Sequence, residues 1–165
     1  MRNNLLIFTM AQLFLILIYS VFLIYLHLSP TLEGAIYGHT LFRLIPVVLT
    51  VLVYLFVGRF MNVKGLTDGI LILVLPALIW GICLAVAYFG GGAEGFVRGA
   101  FRSLWRFPAD VTMLPQMAAV SLLRLKPMTA IYAAAALIPQ CLALLSAARG
   151  PVTYRRRRSL RRREK

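Results

Sequence analysis

From Leu5 to Leu28 the chain runs 24 residues without an Asp, Glu, Lys or Arg, and no other feature restricts its folding as strongly. At ~1.5 Å per residue a helix of that length is about 36 Å long, enough to cross the ~30 Å hydrocarbon layer of a bilayer with some tilt. A cleaved secretory signal would have an apolar region of only about 7–15 residues, and the following "HLSPTLEGA" offers no convincing cleavage site. The run is therefore expected to remain as a first span over 5–28.

Three more runs follow the same logic. A second span over about 44–61 starts with Pro46 in its first turn, where a missing N–H costs nothing, and stays apolar to Val57 before Gly58 and Arg59. Thr67 and Asp68 are natural caps for a third span over 70–89, which contains Pro76 as a candidate kink and meets three glycines at 90–92. The last, 128–148, follows Pro127 and contains Pro139 and Gln140. With 61% apolar residues, 14% charged and a mean hydropathy of +0.83, little polar surface remains outside these runs. The expected fold is an all-α integral membrane protein: a polytopic domain over 1–150, with four to five transmembrane helices, and a basic tail over 151–165.

Between the third and last runs, "FVRGAFRSLWRF" places Arg98, Arg102 and Arg106 on one arc of a helical wheel and Phe101, Leu104 and Trp105 on another. A nucleic-acid reading would use the arginines but leave the aromatic face needing a soluble core, so nucleic acid is disfavoured. An interfacial helix over 96–107 satisfies both faces, with Phe101 and Trp105 at the acyl boundary and the arginines among anionic headgroups. The next stretch, 109–125, is apolar all round, as expected of a segment buried on every side. Its 17 residues fit either a short tilted span or a re-entrant segment.

Of 18 Lys and Arg residues, against five acids, nine lie between Arg149 and Lys165. Arg155, Arg156, Arg157, Arg158, Arg161, Arg162 and Arg163 form a tail without apolar period, expected to be cytoplasmic and drawn to anionic lipid or an acidic partner. Counting basic residues gives 12 inside against six outside for four passes, and 13 against five for five passes with the N-terminus outside. The charges barely discriminate. Placing the cationic 96–107 helix on the more anionic cytoplasmic leaflet tips the expectation narrowly to five. The compartment expected is a bacterial cytoplasmic membrane.

Candidate chemistry is sparse. Cys83 and Cys141 sit in apolar runs and do not suggest a disulfide framework. His27, Glu33 and His39 lack the further ligands a metal site needs, so no metal or cofactor is expected. His39 and Arg43, four apart, share a helix face that suits a phosphate, although a charged pair at a helix entrance is the commoner arrangement. No acid-rich metal array, GxSG or HExxH pattern is present, and catalysis is not expected; a lipid-modifying enzyme at His39 and Arg43 is the remaining enzymatic reading. Pro76, Pro139 and Gln140 mark either helix packing or a solute path. The leading expectation is a non-enzymatic accessory or scaffold subunit that binds anionic lipid, a membrane-protein partner or its own copies. The alternative is a small transporter or channel component working as an oligomer.

Overall fold

A computed structural model of the chain describes residues 2–63, 66–97 and 103–148. Seven helices occupy these segments: α1 (Arg2–Leu28), α2 (Pro30–Gly38), α3 (Thr40–Gly58), α4 (Leu66–Val97), α5 (Phe107–Thr112), α6 (Leu114–Leu122) and α7 (Thr129–Ala147). Among the described residues there is no strand, and four stretches are long and apolar enough to cross a membrane: Asn4–Leu28, Thr40–Gly58, Thr67–Ala93 and Thr129–Ala147.

Neighbour contacts fix how these helices run. Asn4, at the start of α1, exchanges two 3.0 Å hydrogen bonds with the backbone of Asn62, just past α3. At the same end Gly58 lies against Ala143 and Ser146 of α7, and Gly69, early in α4, approaches Leu144. At the opposite end Phe96 of α4 meets Tyr132 of α7 edge to face, 5.2 Å between ring centres. Thus α1, α3, α4 and α7 alternate in direction, with the start of α1 and the end of α7 at one end of the bundle, here the terminal end.

After α1 the chain forms a nine-residue helix, α2. Pro30 presets its first turn, and extended backbone at Ser29 and His39 isolates it from α1 and α3. Pro76 and Pro139 are accommodated within α4 and α7. The break in α4 comes at Gly92, whose φ of 67° lies in the left-handed region that a residue without Cβ enters freely.

The segment over 109–125, read as either a short span or a re-entrant segment, is two short helices, α5 and α6, separated at Met113. Pro115 accounts for the break, because it cannot donate to the carbonyl of Val111 and instead sits in the first turn of α6, where no donor is needed. Four candidate spans are present among the described residues. The helix expected over 96–107 is not continuous either, since Leu104–Arg106 form a turn, closed by Arg106 N–H to the Ser103 carbonyl at 3.1 Å.

The core is shared by the long helices and the short pair: Phe8, Tyr54, Trp80, Phe96, Met113 and Met117 are all buried in one cluster. On α7 the buried face is Tyr132, Ala135, Ala136, Pro139, Gln140, Ala143, Ser146 and Ala147, a helical stripe made mostly of small residues. Small side chains let α3 approach closely at Gly58 and Ala143. The outer faces stay apolar, with Phe14, Leu17, Phe56, Leu78 and Phe89 exposed, as a lipid-facing surface requires.

Candidate functional site

The short pair α5–α6 is the least ordinary part of the bundle. Asp110 of α5 lines a crevice of about 320 Å³ with His27, Glu33 and Tyr37, at the end opposite the termini. Beyond α6, Arg124 donates from Nη2 to the Tyr37 carbonyl at 3.0 Å, at that same end. Between them the chain reaches Gln12, which donates 2.8 Å to the Thr112 carbonyl. Gln12 lies eight residues past Asn4, about 12 Å along α1 at ~1.5 Å per residue, close to mid-depth for a ~30 Å layer. The pair therefore forms a hairpin that enters and leaves by one end, with Thr112–Gln116 at its tip.

A ladder of amides and hydroxyls holds that tip. The Gln12 and Gln116 amides bond each other at 3.2–3.3 Å, Gln116 Nε2 donates 2.9 Å to Tyr54 Oη, and Tyr54 Oη–H donates to Gln12 Oε1. One turn away on α3 and about two turns away on α1, the Thr50 and Tyr19 hydroxyls pair at 2.7 Å, and each also lies 2.9 Å from the Pro46 carbonyl. Irregular backbone at membrane depth must satisfy its polar groups within the protein. This ladder does so, and it ties α1, α3 and α6 together at positions 42 and 104 residues apart in sequence.

At the hairpin's entry stands a buried ion pair. Arg106 is 3% exposed and Asp110 fully buried, with Nε donating to Oδ1 at 2.9 Å. Arg106 also donates to the Phe96 carbonyl and, at 3.1 Å, to Tyr132 Oη, while its guanidinium lies 4.7 Å from the Tyr132 ring centre and 6.0 Å from that of Phe96. One arginine thus joins α4, α5 and α7 at a single point. Intramembrane charges persist where paired in this way, because an isolated one is strongly disfavoured.

The sequence-derived candidates scatter. Arg106 points inward instead of toward headgroups, which corrects its place in the arginine stripe: the carboxylate four residues on and two aromatic faces offer it a complete shell. Arg98, Phe101 and Arg102 lie outside the described residues, as do Arg155 to Arg158 and Arg161 to Arg163. Trp105 is 54% exposed and lies across the Gly90 backbone. Gln140 is fully buried, but it makes no hydrogen bond to a neighbouring helix: both amide atoms lack partners among the described residues. Pro76 forms no part of the polar ladder. Ala136 and Ala143 pack inward, whereas Ala130, Ala133 and Ala134 are exposed. No cluster of three or more metal-ligating groups occurs among the described residues, and both cysteines are free.

The residues that sequence reasoning missed, Gln12, Tyr54 and Gln116, carried only one signal: large polar side chains inside otherwise apolar segments. Such residues in lipid seek each other. No protein-family model, curated protein or solved structure matches this chain.

Proposed function

We propose that the chain is a non-enzymatic membrane subunit, an accessory or scaffold protein that presents a basic cytoplasmic surface to anionic lipid or to an acidic face of a partner. The observation that carries this reading is the segregation of charge along the chain. By sequence, Arg2, Arg59, Lys64 and the nine basic residues from Arg149 onward, 12 in all, belong to the two terminal segments and the connection from α3 to α4. The remaining six lie in sequence between α1 and Pro46 or between α4 and α7, and Arg106 among them is buried against Asp110. Twelve against six basic residues in the sequence favours the terminal end inside under the positive-inside rule. At ~1 kcal/mol per basic residue near an anionic surface, the tail alone supplies a strong electrostatic anchor. The internal polar ladder supports the same reading, because paired amides stiffen a scaffold instead of lining a passage.

Purification in mild detergent at low ionic strength is expected to retain a stoichiometric membrane-protein partner. Replacing the seven arginines from Arg155 to Arg163 with glutamine should lower that retention at least tenfold, about 1.4 kcal/mol. The chain alone in liposomes should give no solute or ion flux above empty vesicles. A second reading, a small transporter or channel component, is favoured by one observation, the unpartnered Gln140 amide beside Pro139. Flux from the isolated chain that Gln140→Leu abolishes would replace the scaffold reading with that one.

A further inference from the structure

Beside the hairpin, between α1 and α3, lies an apolar groove of about 440 Å³. Leu15 and Phe22 of α1 and Ile45 and Leu49 of α3 form its walls, and Leu32 and Ile36 of α2 close it at the end away from the termini. Along α3 it extends from Phe42 to Thr50, eight residues or about 12 Å at ~1.5 Å each. One leaflet of a ~30 Å hydrocarbon layer is about 15 Å deep, so the groove follows most of a single leaflet. Its floor makes no polar demand, because the Tyr19 and Thr50 hydroxyls are already paired with each other and with the Pro46 carbonyl.

Next to the groove stands a cation with an unpaired donor. Arg43 lies on the first turn of α3, adjacent in sequence to the lining residue Phe42 and one turn before the lining residue Pro46. Its Nη2 donates 3.0 Å to Thr40 Oγ1, while Nε is buried and has no acceptor among the described residues. A buried guanidinium N–H left unpaired is costly, and a phosphate oxygen is the acceptor that matches its geometry. Glu33, the acid on α2, lines the separate crevice with His27 and Asp110.

We infer that this groove binds one glycerophospholipid of the bilayer, an acyl chain lying between α1 and α3 and the phosphate meeting Arg43 under the edge of α2. A second copy of the chain fits less well. A transmembrane helix is about 10–12 Å across, and α2 lies over the top of the groove where such a helix would have to continue. The inference is independent of the scaffold reading, since it concerns the opposite end of the bundle from the basic tail.

The test is native mass spectrometry of the full chain released from nanodiscs of phosphatidylglycerol and phosphatidylethanolamine. Wild type is expected to keep one phospholipid per chain after bulk lipid is stripped. Arg43→Gln should lower that occupancy roughly tenfold through loss of a charge-assisted contact, and Ala35→Trp, which fills the groove, should abolish it. Wild type offered a diacylglycerol with the same chains, without phosphate, should bind it about as weakly as Arg43→Gln binds phosphatidylglycerol. This last comparison needs no variant and holds if a substituted chain fails to fold. Equal retention of phosphatidylglycerol and diacylglycerol by wild type would overturn the site. So would folded Arg43→Gln and Ala35→Trp chains that hold lipid as wild type does, or a lipid-free dimer closed over α1 and α3.

Discussion

Arg106→Ala is expected to lower the stability of the folded bundle by about 3–5 kcal/mol, the range for removing one partner of a buried ion pair. Asp110, fully buried, would lose the guanidinium that donates to its Oδ1. Tyr132 Oη and the Phe96 carbonyl would each lose a donor in the same step. Arg106→Lys should recover little, because an ammonium lacks the planar fork that reaches three acceptors while stacking near two rings. The combined variant Arg106→Met, Asp110→Leu should be less damaged than Arg106→Ala, since apolar replacement removes the buried carboxylate together with the guanidinium. Unfolding by SDS titration in mixed micelles measures these differences. A loss below about 1 kcal/mol for Arg106→Ala would show that the pair is solvated and that the hairpin entry is open to water.

Gly58→Ala should have the next largest effect. A Cβ at Gly58 would collide with the Ala143 carbonyl of α7, and backbone has no rotamer with which to move aside. The helices must separate at their closest approach, which disturbs the small-residue stripe from Ala136 to Ala147. Overpacking of this kind costs about 1–3 kcal/mol or more, and Gly58→Val should exceed Gly58→Ala. Gly81→Ala is the matched control, because a Cβ there meets nothing within 4 Å. As a glycine inside a helix, Gly81 should yield up to ~1 kcal/mol of added stability on the same substitution. The two alanine variants should therefore shift SDS resistance in opposite directions.

The four long helices were legible because a membrane span leaves a length signal that packing does not alter. The run over 128–148 and α7 (Thr129–Ala147) agree within a residue at each end. The hairpin was not legible, because 17 residues apolar on every side suit both a short crossing and a return. Pro115 held the deciding information, but a proline in an apolar run says where a helix breaks and not which way the chain then turns. Arg106 shows a different failure. Its spacing from Arg98 and Arg102 suggested a shared outward face, while its equal spacing to Asp110 pointed inward. Two i,i+4 relations competed, and burial decided between them. The ladder of Gln12, Tyr54 and Gln116 depends on contacts across 42 to 104 positions, which no local pattern encodes.

Four crossings and a returning hairpin make one demand that a five-pass chain cannot meet: Ser103 and Lys126, before and after α5–α6, must lie on the same side of the membrane. Single cysteines at these positions, and at Asn3 and Asn62 for the terminal end, can be tested with an impermeant thiol reagent in intact cells after Cys83 and Cys141 are replaced. The expected result is labelling at Ser103 and Lys126 without permeabilisation, and at Asn3 and Asn62 only after it. Labelling that separates Ser103 from Lys126 would contradict the returning hairpin and make residues 107–122 a fifth crossing.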